Sequence, residues 1–495
     1  MGKRYLYGAA VQGIQGFIFQ TNELKDIVGA SELVDMICTS AFDELISSQG
    51  TQENSSSIVR AAGNIKYIFD DERLCAKVVR EFPGKVQNMA PGITVSQAVV
   101  EYSENDKFED AVDRLESRLR IQRNYPMRSN TWGMLGVRRS RKTGLPAVEE
   151  KQGEYLDLST KCKRDKNNLF HVCKKAFGKE RIDRNKLAFD VSELTKKNNW
   201  IAIIHADGNG LGKVIQEIGK DEKKLAEFSR TLDELTRAAA VESYKATVDE
   251  DKLDKDEKIP LRPVILSGDD LTVIIRGDLA MRYTDTFLRS FERLTKEKMC
   301  GLVKEGKGLT ACAGIAYIKS SYPFYYGYEL AKMLCARAKK KAKEIDENLA
   351  PSCLMFHKVQ DSFVEDYEEI VKRELLPCSG NSFEFGPYFL DEQESYWGIN
   401  KLRNAISSLG SEDGNAVRSH LRQWMSLMYR QEDGNGQALQ KKRRLQSLLE
   451  IKNKEMLYQL VENLTGKVER GDGFSRYPVY DVLSLYSIEY LITRK

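Results

Sequence analysis

The sequence lacks long hydrophobic runs, and it has few histidines and little net charge. No apolar segment approaches the roughly 18 residues that a membrane-spanning helix needs, and Met1 to Tyr7 leads into strand-like sequence without the hydrophobic stretch of a signal peptide. With 41% hydrophobic and 30% charged residues among 495, the composition is typical of a soluble globular chain rather than a disordered one. We therefore expect a cytoplasmic protein of several domains, without membrane partners.

Closely spaced cysteine pairs are also missing, which excludes a disulfide framework. The cysteines stand singly at nine positions: Cys38, Cys75, Cys162, Cys173, Cys300, Cys312, Cys335, Cys353 and Cys378. We expect reduced, mostly buried thiols. Cys162, His171 and Cys173 are the nearest approach to a zinc cluster, but they lack a fourth ligand and the usual paired spacing, so zinc is unlikely.

The net charge of +4 hides an uneven distribution. Lysine and arginine crowd into residues Arg138 to Lys186 and recur at Lys339 to Lys343 and at Lys441 to Arg444. Local basic stripes attract polyanions even in a nearly neutral chain. Solvated helix faces would give the same pattern, so the preference for nucleic-acid contact depends on the catalytic pattern described below.

The pattern of secondary structure repeats along the chain. An aromatic and β-branched strand at residues 4–20 precedes a helix pattern from Asn22 to Glu44, a hairpin, a helix from Glu72 to Phe82 and a strand from Gly92 to Tyr102. This β-α-β-β-α-β order is that of the ferredoxin-like fold, which palm domains share. The segment therefore predicts an α+β palm domain.

The same order returns after residue 195. The buried-strand pattern from Trp200 to Ala206 precedes a helical stretch, the hairpin PVILSGDDLTVIIR, a helix from Asp278 to Met299, a strand and a last helix after Pro323. We predict two tandem ferredoxin-like palms: a first, degenerate palm at 1–105 and a catalytic palm at 196–349.

Two further segments complete the predicted organisation. Residues 106–195 begin as a helix and continue as a basic, irregular insert or linker. Residues 350–495 show mainly helical periodicity, which predicts a C-terminal helical domain. Its apolar stripe, expected to be bundle core, consists of Leu445, Leu448, Leu449, Met456, Leu457 and Leu460.

Three acidic residues carry the predicted chemistry. Asp207 follows the first strand of the second palm, and Asp269 and Asp270 lie at the tip of its hairpin. Because pairing brings the hairpin beside that strand, we expect the carboxylates to converge and to bind Mg²⁺ or Mn²⁺. A two-metal site of this kind activates an attacking hydroxyl and neutralises a leaving pyrophosphate, as nucleotidyl transfer requires.

Glycines surround these acids. Gly208, Gly210 and Gly212 are expected to leave backbone amides open to a triphosphate, and Gly268 to let the hairpin approach a nucleotide closely. Either pattern alone would usually be a simple turn. Both patterns at corresponding places in one palm indicate a nucleotide site, whereas His205, on the apolar strand, is more typical of a core histidine than of a general base.

The ordered motifs resemble the large, polymerase or cyclase, subunit of type III CRISPR effector complexes, in the version without an HD nuclease domain. SGDD at 267–270 is similar to that family's GGDD motif, DGNGLGK at 207–213 to its first metal motif, and GIQGFIFQTNELKDIVGASELVD at 13–35 to its palm entry. GLPA at 144–147 and LAKMLCARAKKKAK at 330–343 also match in type and place.

The resemblance, over about residues 4–345, implies conversion of ATP to a cyclic oligoadenylate or related second messenger in antiviral defence. The implied partners are the other subunits of a type III complex, guide RNA, target RNA and ATP. The three acids would hold the metals, Lys339 would meet a phosphate, and Lys213 is a weaker candidate for the same role. Gly208, Asn209, Gly210, Ser267 and Gly268 would line the nucleotide site.

Some positions depart from the family pattern. Asn209 stands where many members have a second acid, so metal binding there would rest on a carbonyl or be weaker, and Ser267 replaces the first glycine of GGDD. The corresponding hairpin of the first palm reads Ala61-Ala62-Gly63-Asn64 and has no acid, so we expect that palm to supply binding surface without catalysis. None of the four histidines precedes an aspartate, and we expect no nuclease domain.

Three alternatives remain open at the level of sequence. The chain could be a non-catalytic RNA-binding scaffold, although a decayed site should then look like the first palm. It could be a stand-alone signalling cyclase that works without guide RNA. A templated polymerase or a dinucleotide cyclase is the third, less favoured by the tandem palm that lacks acids.

Overall fold

The computed structural model describes residues 3–47, 57–61, 63–103, 105–125, 136–195, 199–299, 301–303, 308–361, 366–377, 380–430 and 434–490. The predicted fold class is confirmed: it is α+β, with two palm sheets and a set of C-terminal helices. Ala62 of the first hairpin, Cys300 and Cys378 lie outside the described residues. The predicted domain boundaries stay predictions.

The first palm is a four-stranded sheet in the order β2-β3-β1-β4. Its strands are β1 (Lys3–Gln12), β2 (Ser57–Ala61), β3 (Asn64–Phe69) and β4 (Thr94–Ser103). Its helices are α1 (Ile14–Ile18), α2 (Leu24–Cys38), α3 (Ser40–Ile46) and α4 (Glu72–Met89). The single helix predicted from Asn22 to Glu44 is thus divided at Thr39.

Helix α4 continues past Pro83, although the sequence predicted its end at Phe82. Proline has no N–H for the carbonyl four residues earlier, which is that of Val79. The side-chain amide of Gln97, on β4, donates to this carbonyl at 2.7 Å. The neighbouring strand therefore satisfies the acceptor that proline leaves open, and the helix continues.

The insert is more regular than predicted. It contains α5 (Phe108–Arg123), β5 (Ala147–Lys151), β6 (Glu154–Asp157), α6 (Leu158–Lys166), α7 (His171–Phe177) and 3₁₀ turns at Arg184–Lys186 and Val191–Glu193. Several of its basic groups are neutralised within the chain, and Lys163 is fully buried, donating to the Phe17 carbonyl at 2.7 Å. Arg164 pairs with Asp26 at 2.7 Å, and Lys142 with Glu154 at 2.8 Å.

The second palm repeats the strand order of the first, as β8-β9-β7-β10. Its strands are β7 (Trp200–Gly208), β8 (Leu261–Ser267), β9 (Asp270–Arg276) and β10 (Ala311–Lys319). Its helices are α8 (Leu211–Ile218), α9 (Glu222–Thr247), α10 (Ala280–Lys298) and α11 (Phe324–Ile345), with 3₁₀ turns at Glu250–Lys252 and Gly277–Leu279. Strand β7 is buried on both faces up to Ala206, which accounts for its continuous apolar run.

Residues after Leu349 contain strands as well as the predicted helices. The strands are β11 (Cys353–Lys358), β12 (Asn381–Ser382), β13 (Tyr388–Phe389), β14 (Val468–Glu469) and β15 (Ser475–Arg476). The helices are α12 (Tyr367–Ile370), a π-helical turn at Val371–Leu375, α13 (Ile399–Gly410), α14 (Gly414–Met428), α15 (Gly434–Ile451), α16 (Glu455–Thr465) and α17 (Val479–Glu489). Strands β11 and β13 extend the palm sheet to six strands in the order β13-β11-β10-β7-β9-β8.

The predicted apolar stripe is only partly core. Leu448 and Met456 are 42% and 63% exposed, whereas the other four residues of the stripe are buried. The long helical pattern is divided between α15 and α16 at Asn453, whose φ of 49° lies in the left-handed region. None of the helices in the described part of the chain is long and apolar enough to cross a membrane.

Candidate metal centre

Asp207 lies where strand β7 gives way to helix α8. The six preceding residues are buried, whereas the Asp207 side chain is 36% exposed. Gly210 has a φ of 68° and is the N-cap of α8, a left-handed conformation that glycine adopts without steric cost. The chain therefore turns sharply just after the acid, which leaves the carboxylate at the end of the strand.

The turn between β8 and β9 presents the other two acids. Ser267 ends β8, Gly268 has a φ of 65°, and Asp270 begins β9. The Gly268 N–H donates to Asp233 Oδ1, on helix α9, at 2.9 Å. Burial raises the pKa of the Asp233 carboxyl, although the Arg237 charge and this hydrogen bond oppose the shift.

The structure brings the three predicted acids together. Strand β9 neighbours β7 in the sheet, and one carboxylate oxygen each of Asp207, Asp269 and Asp270 lies within 4.8 Å of the others. Within the described ranges, no other group of three or more histidine, cysteine, aspartate or glutamate side chains has a spacing suited to a metal ion. Three hard oxygen donors fit Mg²⁺ or Mn²⁺, and metal binding by them stays a prediction.

Lys339 contacts this centre. Its ammonium, on helix α11, donates to Asp207 Oδ2 and to the Gly208 carbonyl, the latter at 2.8 Å. Burial lowers the pKa of Lys339, but the charge and hydrogen bond of Asp207 outweigh burial, so the pKa is raised. The lysine is therefore held charged at an acid, whereas the resemblance implied contact with a phosphate.

Asn209 is buried and faces away from solvent. Its backbone N–H donates to the Thr310 carbonyl at 2.8 Å, and its side-chain amide approaches Thr310 Oγ1 at 3.0 Å, Cys312 Sγ at 3.3 Å and the Ala350 carbonyl at 3.3 Å. Thr310 Oγ1 itself donates to the Ala350 carbonyl at 2.6 Å, which fixes the amide nitrogen as the donor. The side chain thus anchors the loop, and this N–H is not open to a triphosphate.

The remaining predicted residues lie around the centre with less specific contacts. Lys213 is exposed on the first turn of α8, and Ser267 is half-buried at the end of β8. His205 is buried, and burial lowers its pKa to about 4. Its ring meets Tyr328 edge to face, with centroids 5.6 Å apart, as expected of a neutral core histidine.

A cavity of about 300 Å³ adjoins the SGDD turn. Gly268 and Asp269 line it, together with Ser229 on α9 and with Asn64 and Lys66 from the hairpin of the first palm. Its volume is at the lower end of the range for small-molecule sites. Ser229 and Asp233 were not predicted as site residues, because helix periodicity does not indicate which acid or hydroxyl of a helix faces a distant turn.

Comparison with known proteins identifies the second palm. Residues 200–347 match the family described as Cas10/Cmr2, second palm domain. No curated protein matches the chain.

Solved structures share the fold over nearly the whole chain. A Csm1–Csm4 cassette in complex with cA4 has a TM-score of 0.55 at 16% identity, and one with cA3 has 0.55 at 15%. The Csm1–Csm4 subcomplex of a type III-A CRISPR-Csm interference complex has 0.53 at 14%. Each alignment covers 99% of this chain and 70% of the other. The family match at residues 200–347 and the fold shared with Csm1 confirm the resemblance to the type III large subunit: residues 200–347 are a second palm domain of the Cas10/Cmr2 type.

Proposed function

We propose that the second palm joins ATP molecules by metal-dependent nucleotidyl transfer into a cyclic oligoadenylate or a related adenine nucleotide. The observation that supports this proposal most strongly is the convergence of Asp207, Asp269 and Asp270 within 4.8 Å. Such a triad at a strand end and a hairpin turn is costly to retain without use, because three carboxylates at this distance repel one another. A scaffold would gain nothing from it.

The proposed roles follow from the contacts. The three carboxylates would hold two divalent ions, which supply activation of a hydroxyl and neutralisation of a leaving pyrophosphate. Lys339 compensates part of the negative charge through Asp207 and lies within reach of the same loop. Asn209 holds the loop against β10, so the Asp207 backbone keeps its position.

The nucleotide class is proposed from related structures and from the cavity. Csm1–Csm4 cassettes of this fold have been solved with cA4, cA3, pppApA and one ATP. The cavity beside Gly268 and Asp269 has room for a nucleoside group. Adenine nucleotides are therefore the first substrates to test, with GTP as the comparison.

The proposed partners follow from the same comparisons. Csm1 forms a subcomplex with Csm4 in a type III-A interference complex. We propose that this chain likewise assembles with other type III subunits, guide RNA and target RNA. The exposed Arg141 is a candidate RNA contact of the basic insert, whereas Lys142 is already paired with Glu23 and Glu154.

The test is incubation of the purified complex with ATP, Mn²⁺ and cognate RNA, followed by mass spectrometry of the products. Cyclic or linear oligoadenylates are expected from the unaltered protein and not from Asp269→Ala/Asp270→Ala. RNA binding without any product would favour the scaffold. Equal product with and without RNA, from the chain alone, would favour a stand-alone cyclase.

A further inference from the structure

The SGDD turn forms a hydrogen bond with a carboxylate that is not one of the three proposed metal ligands. The Gly268 N–H donates to Asp233 Oδ1 at 2.9 Å. Gly268 immediately precedes Asp269, and its left-handed φ of 65° makes it the residue at which the hairpin reverses. A hydrogen bond from this N–H to a charged acceptor therefore fixes the backbone that carries both hairpin acids.

Asp233 is itself held in place. Arg237, one turn further along α9, pairs with Asp233 Oδ2 at 2.5 Å, so each oxygen of the carboxylate has a different partner. The Asp233 side chain is 15% exposed. Arg237 thus sets the rotation of the carboxylate and leaves Oδ1 for the turn.

The corresponding glycine of the first palm has a different hydrogen-bond acceptor. Gly63 has a φ of 80°, and its N–H donates to the thiol of Cys38, the last residue of α2. Burial raises the pKa of Cys38 to about 12, so this acceptor is a neutral sulfur. A thiol is a weak acceptor. Among the residues that the structure describes, the acceptor of the Gly63 N–H is thus a neutral thiol, whereas that of the Gly268 N–H is a carboxylate.

We propose that Asp233 is a positioning residue that holds the SGDD turn where Asp269 and Asp270 converge with Asp207. This inference rests on the proposed function in taking the triad to be a metal site. Residues that orient metal ligands through hydrogen bonds typically change metal affinity or activity by about 10- to 100-fold when they are removed. Asp233 should show that effect although it is not itself a ligand.

The experiment measures Mn²⁺ binding by electron paramagnetic resonance, without turnover, on the full chain in its complex. Asp233→Ala is expected to weaken Mn²⁺ binding about tenfold, whereas Asp233→Asn, which keeps one acceptor oxygen, should change it about threefold or less. Glu234→Ala is the matched control, because Glu234 is the adjacent carboxylate on α9 and is exposed. Thermal unfolding is recorded for every variant.

The outcomes separate this inference from the proposed function. Weaker Mn²⁺ binding in Asp233→Ala alone, restored at high Mn²⁺ together with product formation, supports the positioning role. Unchanged Mn²⁺ binding in a folded Asp233→Ala overturns it, even if the unaltered protein makes product. A Mn²⁺ effect in a protein that makes no nucleotide would support the positioning role and reject the proposed function. If Asp233→Ala does not fold, Asp233→Asn provides the test, because asparagine keeps an oxygen that accepts from the Gly268 N–H. Mn²⁺ binding that is more than tenfold weaker in Asp233→Asn would then reject the positioning role of this hydrogen bond.

Discussion

The two palms share one strand order but differ at the positions where chemistry would occur. Each short first helix is capped by a glycine in the left-handed conformation, Gly13 in the first palm and Gly210 in the second. Three residues before these caps stand Ala10 and Asp207 respectively. The two hairpins continue the contrast, because one ends in Gly63-Asn64 and the other carries SGDD.

This difference shows that the palm fold and its acidic site are separable. Both sheets have apolar cores: Leu6, Ile68 and Val100 are buried in the first palm, as are Ile203, Ile274 and Ile315 in the second. Those residues hold the strands through burial of apolar area, which does not depend on the acids. Removing the acids should therefore abolish chemistry and leave the fold.

The largest expected effect comes from making the second palm resemble the first. Asp269→Ala/Asp270→Ala, and separately Asp207→Asn, should reduce product formation by at least about a thousandfold, because they remove charge that holds the metals at the reacting groups. Quantitative mass spectrometry of products from ATP measures the effect. Thermal unfolding and RNA binding are expected to stay close to those of the unaltered complex.

The first palm is unaltered in these variants, so any activity that remains can be compared with what a palm without acids supports. If the double variant turns over ATP at a near-normal rate, the catalytic assignment is wrong. If it loses RNA binding as well, the acids have a structural role that the sheet cores do not reveal.

A smaller effect is expected from Lys339. Its partner is Asp207, and the first palm has Ala10 at the corresponding place. Lys339→Ala should lower kcat/KM for ATP by about 10- to 100-fold, the range for loss of a charge-assisted hydrogen bond of about 1.5–3 kcal/mol. Mn²⁺ should bind at least as tightly as before, because the ammonium no longer competes for Asp207. Steady-state kinetics and Mn²⁺ titration measure the two effects separately.

Lys340→Ala is the matched control, since Lys340 is the exposed neighbour on α11. Weaker Mn²⁺ binding in Lys339→Ala would show that the lysine supports the carboxylates rather than a phosphate. Lys339→Arg is not expected to restore activity, because a planar guanidinium cannot replace a compact ammonium between Asp207 and the Gly208 carbonyl.

The sequence predicted the tandem strand order and the three acids because both follow from local patterns. Buried strands such as Trp200–Gly208 and a hairpin with Gly-Asp-Asp are visible within a few residues. The hydrogen bonds that hold the two acidic turns could not be predicted in this way. Asp233 meets Gly268, and Asn209 meets Ala350, only after the chain has folded. The strands after Leu349 were missed for a related reason, since the short β13 gains its order from pairing with β11 rather than from its own pattern.

Asn209 tests whether the second palm could accept a further acid. Asn209→Asp should lower the free energy of unfolding by about 1–3 kcal/mol, because the buried hydrogen bonds of the amide donor are lost and a carboxylate would face the Ala350 carbonyl. Mn²⁺ affinity should not increase. Chemical denaturation and Mn²⁺ titration measure the two quantities, and tighter Mn²⁺ binding at unchanged stability would mean that the side chain can turn towards the acids.

The smallest effect is expected from substitution of Asn64, which follows Gly63 in the hairpin of the first palm. Asn64 is exposed and lines the cavity that also touches Asp269, so it can contact a nucleotide without holding a metal. The first palm, which lacks these acids, would then serve by placing one substrate beside the other, which lowers the entropy cost of their reaction. Asn64→Ala removes at most one or two neutral hydrogen bonds.

Asn64→Ala should therefore raise KM for ATP by about three- to tenfold, which corresponds to about 0.5–1.5 kcal/mol for a neutral hydrogen bond, or shift the distribution of product lengths. Mn²⁺ binding should not change, since no carboxylate is altered. Asn415→Ala, at an exposed asparagine of α14, is the control for an asparagine substitution away from the cavity. Loss of activity as large as that of Asp269→Ala/Asp270→Ala, or Mn²⁺ bound beside Asn64 in a crystal structure with an ATP analogue, would show that the first palm takes part in the chemistry itself.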